Sequence, residues 1–203
     1  MGHQSVILRQ ENISTAKMIY YRHLKKDFPA SETKPFSAIS KAMRCEKYKV
    51  FGAYANEMLV GYAFVFISNK DGKVISLLDY FAVVEGMRGK GLGKEILKNL
   101  SPDRLGFDNV LIESESLSGA EDKEDRDIRQ RRIRFYESCG AINSGVKAFL
   151  YEVEYDILVF YRCGMSVTEE TVYEMTESLY EDMYGNLPWY PDLAKVYRNG
   201  KGN

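Results

Sequence analysis

The sequence predicts an α/β fold, a mixed sheet flanked by helices. Strand-like and helix-like segments follow one another in the order β-α-α-β-β-β-α-β-α-β-β. Between Leu77 and Leu97 a strand, a glycine-rich turn and a helix start stand in immediate succession. Of the 203 residues 45% are hydrophobic and 28% charged, which supplies a core and carries no signature of disorder or of a fibre. That length fits one domain, or one domain with an appendage.

Ser5 to Gln10 reads as a first strand. A helix then runs to about Asp27, capped by Asn12 or Ser14, with Ala16, Ile19, Tyr20 and Leu24 on one stripe. Phe28-Pro29 ends it, and Lys34-Pro35-Phe36 opens a second helix through about Cys45. Lys49 to Ala55 and Leu59 to Ser68 read as a hairpin joined by Asn56-Glu57-Met58. Asp71-Gly72 makes the next turn, and Ile75 to Val84 is a fourth strand. The following helix runs to about Leu100, where Ser101-Pro102 stops it. Val110 to Ser116 is a fifth strand. Leu117 to Gln130 is a highly charged insertion, either a lid or a solvated loop. Ile128, Arg132, Phe135 and Tyr136 mark a fourth helix that ends at Gly140. Ile142 to Phe149 and Glu152 to Tyr161 form a closing strand pair. Thr168 to Tyr184 is helical, and Pro188-Trp189-Tyr190-Pro191 begins a tail.

The junction after the fourth strand, Arg88-Gly89-Lys90-Gly91-Leu92-Gly93 and then Lys94, is an anion-binding device. Glycines remove the Cβ atoms that would block an anion from the backbone. The first helical turn presents N–H groups with no partner inside the helix, and these with the helix dipole favour phosphate. Arg88, Lys90 and Lys94 add positive charge there. A Walker loop would need G-x-x-x-x-G-K-[ST], which is missing. A dinucleotide fingerprint would need G-x-G-x-x-G, and Gly89-Lys90-Gly91-Leu92-Gly93 is one residue short.

What the junction resembles is the acyl-CoA pyrophosphate loop of the GNAT superfamily of N-acetyltransferases, [RQ]-x-x-G-x-[GA]. Arg88, Gly91 and Gly93 fill it, and the family's frequent upstream valine is Val83. Phe135-Tyr136-Glu137-Ser138-Cys139-Gly140-Ala141 resembles a second family pattern, F-Y-x-x-x-G-[FA]. The resemblance runs from about Val6 to Tyr161 and implies a twisted, mostly antiparallel sheet whose fourth and fifth strands splay apart. It implies an N-acetyltransferase domain over residues 1–162, with 163–203 a helical extension on or near it.

Acyl transfer to an amine needs a fixed thioester, a hydrogen-bond donor for its carbonyl oxygen, a neutral amine and an acid for the leaving thiolate. The resemblance places the pantetheine against the main chain of Phe81, Ala82 and Val83, as an added strand. The N–H near Val83 would be the oxyanion donor. The pyrophosphate would lie on Arg88, Gly89, Lys90, Gly91, Leu92, Gly93 and Lys94. Tyr136 matches the family's general acid. This rests on the motif, because the chain has 15 tyrosines and tyrosine alone marks nothing. For the base three carboxylates stay open, each acting directly or through water. Asp79 is embedded in an apolar strand, where an acid needs a partner or a task. Glu113 and Glu115 share one face of the fifth strand. The alternative for these acids is a solvated edge or an ion pair with the arginines at 129, 131, 132 and 134. Where many members carry asparagine, seven residues before the tyrosine, this chain has Arg129.

The net charge of −1 attracts neither nucleic acid nor an anionic membrane. No apolar run approaches the ~20 residues of a membrane helix, the N-terminus lacks a signal-peptide core, and Val6 stands where a myristoylation site needs Ser or Thr. Cys45, Cys139 and Cys163 have no metal spacing with His3 or His23, so thiols in a reducing cytoplasm and no metal are expected. The expected co-substrate is acetyl-CoA. The expected acceptor is a primary amine of a small molecule or peptide, and Asp27, Glu32 and the strand carboxylates suit a cationic one. The reading allows a homodimer. A non-catalytic acyl-CoA-binding or sensing module is the second reading, and a nucleotide-binding regulator the third.

Overall fold

The computed structural model of the protein describes residues 5–70, 72–188, 190, 192 and 194–198. Residues 1–4, Asp71 of the expected turn, and Trp189 and Pro191 of the expected tail lie outside the described residues.

After β1 (Ile7–Gln10), Asn12 caps α1 (Ile13–Ile19), its side-chain oxygen accepting from Thr15 N at 2.9 Å. The helix widens into a π-helical turn over Tyr20–Leu24 and closes with α2 (Lys25–Asp27). Ala16, Ile19, Tyr20 and Leu24 are buried, the stripe that periodicity predicts. Behind Pro35 comes α3 (Phe36–Arg44). β2 (Tyr48–Ala55) and β3 (Met58–Lys70) are joined by Asn56 and Glu57, both at positive φ (48° and 62°) as a two-residue hairpin turn requires. β4 (Lys73–Val83) leads through the glycine loop into α4 (Leu92–Asn99). Pro102 does stop that helix, but it also starts α5 (Pro102–Leu105), because a first-turn proline lacks only an N–H that would be unpaired anyway.

β5 (Asn109–Glu115) follows, then a 3₁₀ turn at Leu117–Gly119 and α6 (Lys123–Glu137). The charged stretch is thus helical, not a loop, for most of its length. Asp122 caps α6 by accepting from Asp125 N at 2.8 Å. Glu124 and Asp125 stand at its N-terminal end and the arginines toward its C-terminal end, which suits the helix dipole. β6 (Ile142–Leu150) and β7 (Val153–Tyr161) turn at Tyr151 and Glu152, again at positive φ. α7 (Glu169–Tyr184) is capped by Thr168, and β8 (Ala194–Arg198) is a strand that the sequence pattern does not announce.

The eight strands form one sheet in the order β1-β2-β3-β4-β5-β7-β6-β8. β4 and β5 run parallel, in register from Ile75↔Asn109 to Leu77↔Leu111. β1–β2, β2–β3, β5–β7, β6–β7 and β6–β8 are antiparallel. The chain divides into two compact units, Met1–Ile67 with Leu78–Leu100, and Ser68–Leu77 with Ser101–Asn203. In the first, Ile19, Leu24, Val50, Tyr62, Phe64 and Ile96 are fully enclosed. In the second, Leu111, Ile112, Leu158, Val172 and Leu179 play that part. No helix among the described residues is long and apolar enough to cross a membrane.

Candidate functional site

The first unit holds Asp79, the end of β4 and the glycine loop. Phe81, Ala82 and Val83 are half-buried, whereas Ile75 to Leu78 are buried. Val84 N donates to Val60 O of β3 at 3.0 Å. Successive N–H groups of an extended strand point to opposite edges, so the Val83 N–H points away from β3. A carbonyl and the N–H of the same trans peptide also oppose each other. The Val83 carbonyl therefore shares that outer edge, where it accepts from Arg88 Nε at 3.1 Å.

Gly89 (φ +76°) and Gly91 (φ +77°) lie in the left-handed region, and a Cβ on either would meet nothing within 4 Å. Open space and backbone conformation together make a cradle suited to glycine. Gly91 is the N-cap of α4 and supplies no side-chain cap; Lys94 N turns back to the Gly91 carbonyl at 3.2 Å, which leaves the Leu92 and Gly93 N–H groups to an outside acceptor. Gly61 is required for another reason. A Cβ there would come within 2.5 Å of Ile96 Cδ1 and 2.9 Å of the Ala82 carbonyl, so its absence lets α4 settle on β3 beside the strand end.

The cations of the loop are less free than their sequence suggests. A terminal guanidinium nitrogen of Arg88 donates to Asp27 Oδ1 at 2.5 Å, and the other Asp27 oxygen accepts from the Tyr62 hydroxyl at 2.7 Å. Burial first, and then the Asp27 carboxylate, push the Tyr62 hydroxyl well above its ordinary range. Lys90 Nζ turns back to Gly86 O at 3.1 Å, whereas Lys94 is exposed. Asp79 is also engaged. It accepts from Lys34 Nζ at 2.7 Å and from the Tyr48 hydroxyl, and only 5% of its side chain is exposed. Lys34 is held further, its N donating to Tyr80 Oη and its O accepting from Tyr20 Oη, each at 2.9 Å. The apolar strand signals that Asp79 needs a partner, but nothing local names Lys34 or Tyr48.

The second unit holds Glu113, Glu115 and Tyr136. Glu113 accepts from the Tyr180 hydroxyl of α7, a side chain that sequence reasoning passed over. Tyr180 is buried, and burial followed by the Glu113 charge raises its hydroxyl well above the ordinary value. Glu115 accepts from Arg132 and lies 3.4 Å from Arg129. This is the ion pair with the arginine cluster that was the alternative for that acid. Arg129, where asparagine is frequent, is buried. It donates to the Ser116 carbonyl at 2.9 Å and to Asp125 at 3.1 Å.

Tyr136 sits in the last turn of α6, its ring buried. The motif glycine explains the placement. Gly140 at φ +99° ends the helix, and Ala141 N returns to the Tyr136 carbonyl at 3.1 Å. Burial pushes the Tyr136 hydroxyl up to about 12, against a lowering by Arg132. It therefore carries its proton at neutral pH.

Residues 46–140 match the family model described as the acetyltransferase (GNAT) domain. No curated protein matches the chain in sequence. Among solved structures, a protein assigned to the GNAT family from Bacteroides thetaiotaomicron has a TM-score of 0.64 at 17% identity, over 88% of this chain and 98% of its own. The spermidine N-acetyltransferase of Vibrio cholerae, in complex with CoA and spermine, has 0.56 at 11%, over 77% and 95%. A dodecameric structure of that enzyme has 0.54 at 12%, over 77% and 94%. At such identities the likeness is one of fold. Among the described residues no three metal-ligating side chains cluster. Residues 46–140 thus match the acetyltransferase (GNAT) domain model, and the chain has the fold of solved members of that family.

Proposed function

We propose that the protein is an N-acetyltransferase that moves an acetyl group from acetyl-CoA to a primary amine by direct attack within a ternary complex. The observation that carries this is the uncapped N-terminus of α4 behind Gly89 and Gly91, where the backbone leaves room for a pyrophosphate. Acetyl-CoA supplies the activated acyl group. Leu92 and Gly93 would donate main-chain N–H groups to its phosphates, with Lys94 and Lys90 adding charge. The Val83 N–H, on the strand edge away from β3, would meet the carbonyl oxygen as it gains charge. Phe81 and Ala82 would complete the main-chain platform. Tyr136 would give its proton to the departing sulfur.

The engagement of Asp79, Glu113 and Glu115 supports a reaction in which the amine sheds its proton to water and none of the three is a free base. Residues 1–162 are read as the catalytic domain, with 163–203 as its extension. The neighbours' spermine complex and dodecamer make a polyamine and an assembled protein the first acceptor and state to examine. The same engagement of the carboxylates favours, as second reading, an acyl-CoA-binding module without turnover. Purified protein, acetyl-CoA and a panel of amines with free-thiol detection separate the two. Amine-dependent thiol release is expected. CoA binding without release from any amine would establish the second reading, and no CoA binding would overturn both.

A further inference from the structure

Asp27 ends a helical segment, where a carboxylate opposes the helix dipole. Its side chain is only 11% exposed, against 59% for Arg88, so the acid is the enclosed member of the pair. Asp27 is fixed from behind by the buried Tyr62 and reaches forward to Arg88. Arg88 in turn holds the Val83 carbonyl while β3 holds the Val84 N–H. The last peptide of the strand, from which the glycine loop departs, is thus secured on both edges, on one of them by a chain that begins at Asp27.

We infer that Asp27 is a positioning residue for the glycine loop, acting through Arg88 on the Val83–Val84 peptide, and that the Arg88 side chain serves the site as a strut. This rests on the loop being the CoA site. It contradicts simple electrostatics. An acid near an anion-binding loop repels the anion, so its neutralisation should tighten binding. A strut predicts the reverse, because without Asp27 the guanidinium is released and the peptide loses its outer anchor. The fork of arginine matters equally, since one guanidinium serves two acceptors and an ammonium on a flexible stem does not reproduce that geometry.

CoA is titrated by calorimetry into the parent, Asp27→Asn, Tyr62→Phe and Arg88→Lys, with the Val84 amide followed by NMR in the absence of CoA. Asp27→Asn and Arg88→Lys should each weaken CoA by about tenfold, the scale of one hydrogen bond to a charged group. Tyr62→Phe, which leaves every charge in place, should weaken it less. The Val84 resonance should shift in all three while distant amides keep their positions. Parental or tighter CoA binding by Asp27→Asn, or parental binding by Arg88→Lys, overturns the strut and leaves the loop as the CoA site. Should Asp27→Asn fail to fold, Arg88→Lys and Tyr62→Phe decide by the same criteria. If the parent itself binds no CoA, the reading of the site falls and the strut with it.

Discussion

At the scale of single residues, the proposed chemistry depends on a protonated phenol and on glycine. Burial holds the Tyr136 hydroxyl at about 12, so it stays a proton donor throughout the range in which amines become nucleophilic. Tyr136→Phe should lower kcat by ~10²–10⁴-fold and leave CoA affinity near parental, as steady-state kinetics beside calorimetry would show. The parent's kcat should show no descending limb from this group below about pH 11. Gly91→Asp places a side chain and a negative charge in the cradle, at a left-handed φ that costs about 1–3 kcal/mol for most residues. It should abolish CoA binding while the protein still melts cooperatively, and parental binding would remove the loop from the site. The three engaged carboxylates bear on the base. Asp79→Asn, Glu113→Gln and Glu115→Gln should each keep the ascending pH limb of kcat/KM, because the amine's own titration sets it. A variant that flattens that limb relative to the parent would identify a carboxylate base.

At the scale of elements, α6 is held by its charges more than by a hydrophobic stripe. Arg129 pairs with Asp125 one turn earlier and reaches the Ser116 carbonyl and Glu115 of the preceding strand region. Truncating Arg129 removes its bonds to Ser116 and Asp125 together, though Glu115 keeps Arg132 and Asp125 keeps the Glu121 N–H. Arg129→Ala should therefore lower the urea midpoint of unfolding. Arg129→Asn restores the residue frequent at this position but is too short to repeat the contacts to Glu115 and Ser116 together. It should recover only part of the loss, and full recovery would mean that the long-range contacts contribute little. The periodicity that reveals α6 from Ile128 onward misses its first residues, because Lys123 to Asp127 include nothing apolar. Their helicity rests on capping and dipole, which a hydrophobic pattern does not register.

At the scale of the whole molecule, one carboxylate ties together the far side of the sheet. Glu154 on β7 accepts from Lys147 on β6 at 2.7 Å, from Ser118 before α6 and from Tyr197 on β8. Burial penalises its charge, but Lys147, Ser118 and Tyr197 outweigh that and bring it from 4.5 to about 2. A group whose folded value is depressed binds fewer protons folded than unfolded. Its stabilisation is complete above the unfolded value and fades as pH falls through the folded one. Stability should thus decline between about pH 4.5 and 2, and Glu154→Gln should flatten that decline at the price of lower stability at neutral pH. An unchanged acid profile in the variant would show that other carboxylates govern acid unfolding.

The sequence by itself determined what is written in neighbouring residues: the order of elements through β7 apart from the short α5, the glycine loop between a strand and a helix, and the helix-ending tyrosine motif. Turns, caps and amphipathic stripes close within a few positions, so one chain suffices to show them. β8 escaped, since five residues that only complete the edge beside β6 need no strong pattern of their own. The tertiary structure alone decided which charges are spoken for. Asp79 meets Lys34 across 45 positions, Arg88 meets Asp27 across 61, and Glu113 meets Tyr180 across 67. Such pairs are set by which strands and helices the fold lays side by side, and residue type at one position carries no address for the other. This is why the loop that would bind the cofactor is legible in the sequence, whereas the state of every candidate acid is fixed only once the chain has folded.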